Sequence, residues 1–276
     1  MRHVEGRLGG VGGVGLYWQG RLPDGTPRGL LLICHGMGEH SGRYATVLDE
    51  LVPDGWAVYG LDHRGHGRSR GPRVHVRRYA HYLADFRAFH GLVGARHPQL
   101  RPFLLGHSMG GQIALAYALD HQEELAGLVL SAPPLAVPAV SRPVRAAYTL
   151  MGRVAPRLRR AVVDLSTISR DDAVVAAYRA DALVHQGHPT IALSLALVDR
   201  MAPLTARAPD LRLPLLLQHG TADRICDPAG TRALAAAAGS DDLTVRWYEG
   251  FWHEIYHEPE RARPLADLRE WLDARR

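Results

Sequence analysis

Gly106-His107-Ser108-Met109-Gly110 sets one serine between an apolar run, Arg101 to Leu105, and a helix-forming run that opens at Met109. A G-x-S-x-G turn of this kind, a nucleophile elbow, strains the serine backbone and lifts its hydroxyl clear of a sheet, and small residues on either side leave it room. The chemistry that follows is attack of a serine oxygen on an acyl carbonyl. A second copy, Gly67-Arg68-Ser69-Arg70-Gly71, lacks this context. Asp62-His63-Arg64-Gly65-His66 separates it from the preceding apolar run, and Pro72 follows it. Ser108 is therefore the expected nucleophile.

A serine hydroxyl needs a histidine base and a carboxylate that holds the histidine in one tautomer. With a nucleophile elbow, the partners follow in the order serine, acid, histidine, each after a strand. Asp223, in His219-Gly220-Thr221-Ala222-Asp223, and His253, after the last strand-like run, meet both conditions. Asp227 precedes Pro228 and reads as a helix N-cap with proline at the first helical position. His257 sits closer to the final helix, near Glu258-Pro259. The oxyanion that forms during acyl transfer needs backbone N–H donors, each worth about 3 to 4 kcal/mol. The expected pair is Met109 N–H, just after the nucleophile, and Met37 N–H in His35-Gly36-Met37-Gly38, with each methionine side chain either lining an acyl pocket or packed in the core.

These residues have to be held by strands and helices. Apolar runs at Gly29–Cys34, Trp56–Leu61, Arg101–Leu105, Gly127–Leu130, Leu213–Gln218 and Leu243–Tyr248 read as strands covered on both faces. Helix-like segments at Arg43–Leu51, Tyr79–Arg96, Met109–Asp120, Pro228–Ala238 and Pro259–Arg275 alternate with them. The class is α/β, a mostly parallel sheet with helices on both faces. Residues 15–29, with Pro23-Asp24-Gly25, read as an antiparallel edge hairpin. The rhythm breaks between Ala132-Pro133-Pro134 and Leu213-Pro214, far longer than the usual connection of about 2 to 6 residues. The expected organisation is a core of residues 1–133 and 211–276 with a helical cap at 134–210. Within the cap, Val144 to Arg160 reads as an amphipathic helix, with Val144, Ala147, Tyr148, Met151, Val154 and Leu158 against several arginines.

Composition narrows the alternatives. The 276 residues fit one large domain, and no apolar run reaches the roughly 18 to 20 residues of a membrane span. Met1 to Gly15 has no secretory pattern, so an intracellular, cytoplasmic protein is expected. All 33 basic residues are arginine against 28 acids, scattered without interleaved aromatics, which argues against nucleic acid as a partner. Two cysteines, Cys34 and Cys226, cannot staple a scaffold and read as buried hydrophobes. Gly10-Val11-Gly12-Gly13-Val14-Gly15 matches a dinucleotide fingerprint but does not lie between a strand and a helix. His63 and His66 share a glycine-rich loop rather than a helix face, so no metal is expected, and triad chemistry needs no cofactor.

Taken together, His35-Gly36-Met37-Gly38-Glu39-His40-Ser41-Gly42-Arg43-Tyr44, Leu61-Asp62-His63-Arg64-Gly65-His66-Gly67-Arg68-Ser69, Gly106 to Gly111, Thr221-Ala222-Asp223-Arg224 and Trp252-His253-Glu254 resemble the monoacylglycerol lipase and lysophospholipase family. The resemblance implies an α/β-hydrolase fold and a lipid-like substrate, a monoacylglycerol, with lysophospholipids, short-chain esters or, in the proline-iminopeptidase manner, peptides as alternatives. It further implies that Glu39 and Arg43 stand near the alcohol end of the site, where they hold glycerol hydroxyls or form an ion pair that fixes the loop. Because monoacylglycerols partition into membranes, peripheral contact of the cap with anionic lipid through its arginines is a further expectation, each arginine worth about 1 kcal/mol.

Overall fold

The six apolar runs form the parallel part of one sheet in the computed structural model, which describes residues 1–136, 141–159 and 164–276. Strands β1 (Arg2–Gly9), β2 (Gly15–Leu22), β3 (Gly29–Cys34), β4 (Trp56–Leu61), β5 (Phe103–His107), β6 (Gly127–Ser131), β7 (Leu215–Gly220) and β8 (Leu243–Tyr248) pair in the order β1-β2-β4-β3-β5-β6-β7-β8. From β4 to β8 every pairing is parallel, and every residue of β3 to β7 is buried, as strands covered on both faces must be; β8, at the sheet edge, departs from that expectation, with only Tyr248 buried and Arg246 exposed. β5 and β7 start two residues later than their apolar runs. Pro102 and Pro214 have no N–H for the ladder and stand just outside it.

Helices α1 (Ala45–Leu51) and α8 (Ala262–Asp273) cover one face; α2 (Ala80–Arg96), α3 (Met109–His121) and α7 (Pro228–Ala237) cover the other. Trp56, Phe103 and Trp271 meet edge to face in the first layer. Phe86, Phe89 and Tyr117 do the same in the second.

The edge hairpin differs from expectation. It runs β1 to β2 in antiparallel register from Arg2↔Leu22 to Gly9↔Gly15, and Pro23-Asp24-Gly25 lies in the link to β3. β1 alternates exposed with half-buried residues and carries two arginines, so no apolar run marks it. Its turn is the glycine stretch. Gly12 and Gly13 have φ of +73° and +74°, a Cβ on Gly10 would lie 2.6 Å from Asp85 Oδ1, and Val11 N–H donates to that oxygen at 3.0 Å. Buried Asp85 also takes Arg64 Nε and Nη2 at 2.6 and 2.7 Å, so these glycines dock a turn on an ion pair rather than cradle a nucleotide.

Between β6 and β7 lie α4 (Arg142–Val154), α5 (Asp172–Ala180) and α6 (Ile191–Ala206). Leu193, Leu197 and Leu204 of α6 join the main core, and Gln112 of α3 donates to Leu197 and Pro134 carbonyls, both at 3.1 Å. The amphipathic segment forms α4, ending at Val154 rather than running on; Arg160 falls outside the described residues. Its apolar set is only partly covered. Gly152 rests on Leu195, but Val144 is 46% exposed and Val154 75%. Among the described residues no helix is long and apolar enough to cross a membrane.

Candidate active site

β5 ends at His107 and α3 begins at Met109, so Ser108 alone makes the turn, at φ 52° and ψ −126°. A non-glycine residue with positive φ persists only where its surroundings hold it there. The neighbours do so by being small. A Cβ on Gly106 would stand 2.5 Å from Gly110 O, and one on Gly110 would stand 2.1 Å from Cys34 O. Ser69 lies in a different setting: it is buried, donates to Asp62 O at 2.5 Å and accepts from Tyr17 N–H at 2.8 Å. Both sides of its hydroxyl are used within the loop.

Asp223 and His253 meet after β7 and β8, with Nδ1 of His253 2.8 Å from Asp223 Oδ2. Ile225 and Cys226 N–H groups donate to Oδ1 at 2.8 and 3.0 Å, and His219 Nε2 reaches Oδ2 at 3.1 Å. Burial would raise the Asp223 pKa, but His253, His219 and the Cys226 N–H outweigh it and hold the carboxyl far below its ordinary range. Burial likewise pushes His253 down, and the Asp223 carboxylate reverses this, leaving the imidazole above its ordinary pKa. Asp227 caps α7, accepting from Ala229 N–H at 2.8 Å, and is exposed. His257 is taken by the Arg43 carbonyl at 2.9 Å and by Glu254.

Ser108 and His253 line one cavity together with the apolar Met37, Leu165, Ile168 and Ile225 and the polar Glu39, His107 and Glu254. Among the described residues no hydrogen bond joins Ser108 Oγ to His253; the hydroxyl is turned toward Cys226 Sγ, 4.0 Å away. Catalytic hydrogen bonds are often long or unmade in ligand-free sites. Cys226 as a neighbour of the nucleophile was not legible in the sequence; the only signal is its place three residues after Asp223. Cys34 is a core thiol at the end of β3.

Both expected oxyanion donors are near. Met109 is the first residue of α3, where helix N–H groups lack intrahelical partners. The Met37 loop approaches through Gly36, whose absent Cβ would sit 3.3 Å from Ser108 Cβ. His35 Nδ1 lies 2.7 Å from the carbonyl of Gly36 and so holds the peptide that carries the Met37 N–H, while Glu39 accepts the Gly36 N–H of the preceding peptide at 2.5 Å. His63 and His66 flank His35 beneath this loop, their rings 4.4 and 5.3 Å from it. The side chains divide between the two alternatives: Met37 lines the cavity, whereas Met109 is 1% exposed and packs in the core. A first-turn residue of a helix that packs flat on the sheet turns its side chain inward.

Glu39 reaches the cavity wall, but Arg43 does not touch the cavity. Glu254 holds the Arg43 guanidinium by two bonds of 2.6 and 2.7 Å, Glu39 by a third of 3.3 Å, and the Tyr178 ring lies 4.3 Å beneath it. Its role is therefore to bind two carboxylates and the α5 aromatic, not to offer donors to a substrate, and the expectation of direct contact is corrected for Arg43. Arg43 outweighs burial and brings the Glu39 pKa to about 2. His107, beside His253 at 4.7 Å between ring centres, is pushed down to about 4 by burial and by His253.

Comparison with known proteins fits this geometry. A family described as "Serine aminopeptidase, S33" matches residues 25–260. The monoacylglycerol lipase of Mycolicibacterium smegmatis is 40% identical over 97% of this chain and 96% of its own length. The human monoglyceride lipase is 34% identical over 94% and 86%. Among solved structures, the Paleococcus ferrophilus monoacylglycerol lipase superposes with a TM-score of 0.83 at 31% identity, covering both chains entirely. A soluble variant of the Saccharomyces cerevisiae monoglyceride lipase, in complex with a substrate analogue, gives 0.84 at 25% identity over 95% and 92%. With a family match over most of its length and a relative of 40% identity nearly end to end, this chain belongs to the monoacylglycerol lipase and lysophospholipase family of α/β-hydrolases and is a carboxylic ester hydrolase.

Proposed function

We propose that the protein hydrolyses the fatty acyl ester of monoacylglycerol, with Ser108 as nucleophile, His253 as base and Asp223 as orienting acid. Ser108 Oγ attacks the ester carbonyl carbon while His253 Nε2 takes its proton, and Met37 and Met109 N–H groups hold the resulting oxyanion. Collapse breaks the bond to the glycerol oxygen, which leaves with the proton from His253. Water, deprotonated by the same histidine, then releases the fatty acid from Ser108.

The observation that supports the substrate class is the lining of the cavity, where Met37, Leu165, Ile168 and Ile225 offer apolar surface for an acyl chain beside the polar Glu39, His107 and Glu254. The name of the matching family raises a peptidase alternative, and the carboxylates argue against it. A free α-amino group would need an unpaired acid, but Arg43, Tyr44 and the Gly36 N–H occupy the Glu39 oxygens, and Arg43 occupies both of Glu254. Asp164 and Asp171 cap helical turns, and Asp181 binds His40 and the Leu183 N–H. A p-nitrophenyl organophosphate tests the assignment. We expect one phosphoryl group per chain, located by peptide mass spectrometry on Ser108, with monooleoylglycerol hydrolysis lost in step; an adduct elsewhere accompanying the loss would refute it.

Residues 134–210 act in this reading as a cap over the site, since Leu165, Ile168 and Tyr178 line the cavity from above. The cap also meets lipid in this reading, through exposed apolar side chains together with the exposed Arg153 and Arg157 of the same segment. Leu150 is 61% exposed and Val154, one turn on, 75%. Arg145 pairs with Asp199, and Arg159 is held by the His188 and Arg73 carbonyls. Replacing Leu150 and Val154 together by aspartate is expected to cut co-sedimentation with vesicles of anionic phospholipid by about fivefold or more. Hydrolysis of a short, water-soluble ester should stay within about twofold; undiminished vesicle binding would remove α4 from the contact.

A further inference from the structure

Asp223 Oδ2 serves two histidines. His253 Nδ1 approaches it at 2.8 Å and His219 Nε2 at 3.1 Å. The same His219 nitrogen lies 3.0 Å from the Cys226 carbonyl oxygen. A carboxylate and a carbonyl can only accept, so this nitrogen carries a proton. The far nitrogen, Nδ1, is 2.7 Å from Thr231 Oγ1 on α7, and the ring is fully buried and stacked on Trp247 of β8. The tautomer and orientation of His219 are thus fixed from three sides.

We propose that His219 is a positioning residue that shares Asp223 with His253 and thereby sets the pH at which His253 becomes free to act as a base. The inference rests on the triad reading above. A carboxylate has about four acceptor sites. The Ile225 and Cys226 N–H groups fill those on Oδ1, and the two histidines divide Oδ2. Each donor draws on the same negative charge, so what His219 takes is withdrawn from the His253 imidazolium.

Other groups face this pair from every side. The Cys226 thiol stands in the loop leading to α7, and His107 at the end of β5. Glu39 follows β3, and Glu254 adjoins His253, both tied to Arg43. Arg232 lies over Trp247, behind the His219 ring. Among the described residues, only the two histidines reach Oδ2.

The sign follows from the mechanism. The base must be neutral, so kcat/KM rises with pH through the His253 titration. Removing the competing donor leaves more charge for the imidazolium and moves that rise to higher pH. His219→Leu is expected to shift the acid limb of kcat/KM for p-nitrophenyl butyrate upward by about 0.5–1 pH unit. His219→Gln, which restores an N–H in that direction, should bring the limb back toward the wild-type position. A purely structural role would instead lower the rate by one factor at every pH, and an unmoved limb in His219→Leu overturns the proposal. Should that variant not fold, Thr231→Val releases the far side of the ring; a smaller shift of the same sign supports the proposal, and no shift overturns it. Asp223→Asn, run alongside, separates the two levels. A fully active Asp223→Asn would refute the triad reading itself, whereas an inactive one with an unmoved His219→Leu limb refutes only the role of His219.

Discussion

Ser108→Ala is expected to lower kcat/KM for monoacylglycerol and for short esters by about 10⁴-fold or more, a loss of roughly 5.5 kcal/mol of transition-state stabilisation. Among the described residues the Ser108 hydroxyl meets only Cys226 Sγ, at 4.0 Å, so the fold loses almost nothing with it. Alanine and serine share a Cβ, and the strain of φ 52° is the same for both. The melting temperature should therefore stay within a few degrees, and the collapse in rate should be read as lost chemistry. Ser69→Ala is the mirror case. It removes a buried hydroxyl that pins Tyr17 to the Asp62 loop, so it should cost stability, about 1 to 3 kcal/mol, while the folded enzyme keeps its activity.

The second large effect separates two aspartates four positions apart. Asp223→Asn is expected to reduce kcat by about 10⁴-fold, because an amide turned toward His253 favours the wrong imidazole tautomer. The site makes this worse, since four donors converge on the carboxylate and an amide has only one oxygen to meet them. Asp227→Asn should leave the rate within about twofold and the stability nearly unchanged, because asparagine caps a helix about as well as aspartate. Steady-state kinetics and thermal melts on the two variants decide between them; a crippled Asp227→Asn beside an active Asp223→Asn would exchange their roles.

Local pattern made much of this site legible. β3 and β4 have the bounds that their apolar runs suggest, because a strand buried on both faces has no freedom in composition, and β8 keeps its expected bounds although it is a half-buried edge strand. The elbow was marked by glycines whose absent side chains are required by the Cys34 and Gly110 carbonyls. Asp223 and His253 followed from their places after strands. What was not legible depends on partners far along the chain. β1 carries arginine and glycine on a mostly exposed edge, so nothing but its partner β2 marks it as a strand. Arg43 could be placed on the right loop, but its attachment to Glu254, 211 residues later, could not, and that attachment takes it away from the substrate. The division of Asp223 between two histidines has the same origin: His219 stands near the end of β7 and His253 in the loop after the neighbouring β8, and no spacing in the sequence distinguishes a histidine that supports the acid from one packed in the core.

The same geometry explains why a family named for peptidases accommodates an esterase. The serine, base, acid and oxyanion donors act on any acyl carbonyl, and the choice of leaving group falls to the cavity wall. Here that lining has two carboxylates hydrogen-bonded to Arg43, and apolar surface contributed by Met37, Leu165, Ile168 and Ile225.

The most direct test of this account is a side-by-side measurement of kcat/KM for 1-monooleoylglycerol, a lysophospholipid, a short p-nitrophenyl ester and an aminoacyl-p-nitroanilide, with Ser108→Ala as the background. The account predicts that monooleoylglycerol is among the best substrates and that the anilide is cleaved at the background rate. Efficient cleavage of the anilide, with monooleoylglycerol left at background, would contradict it.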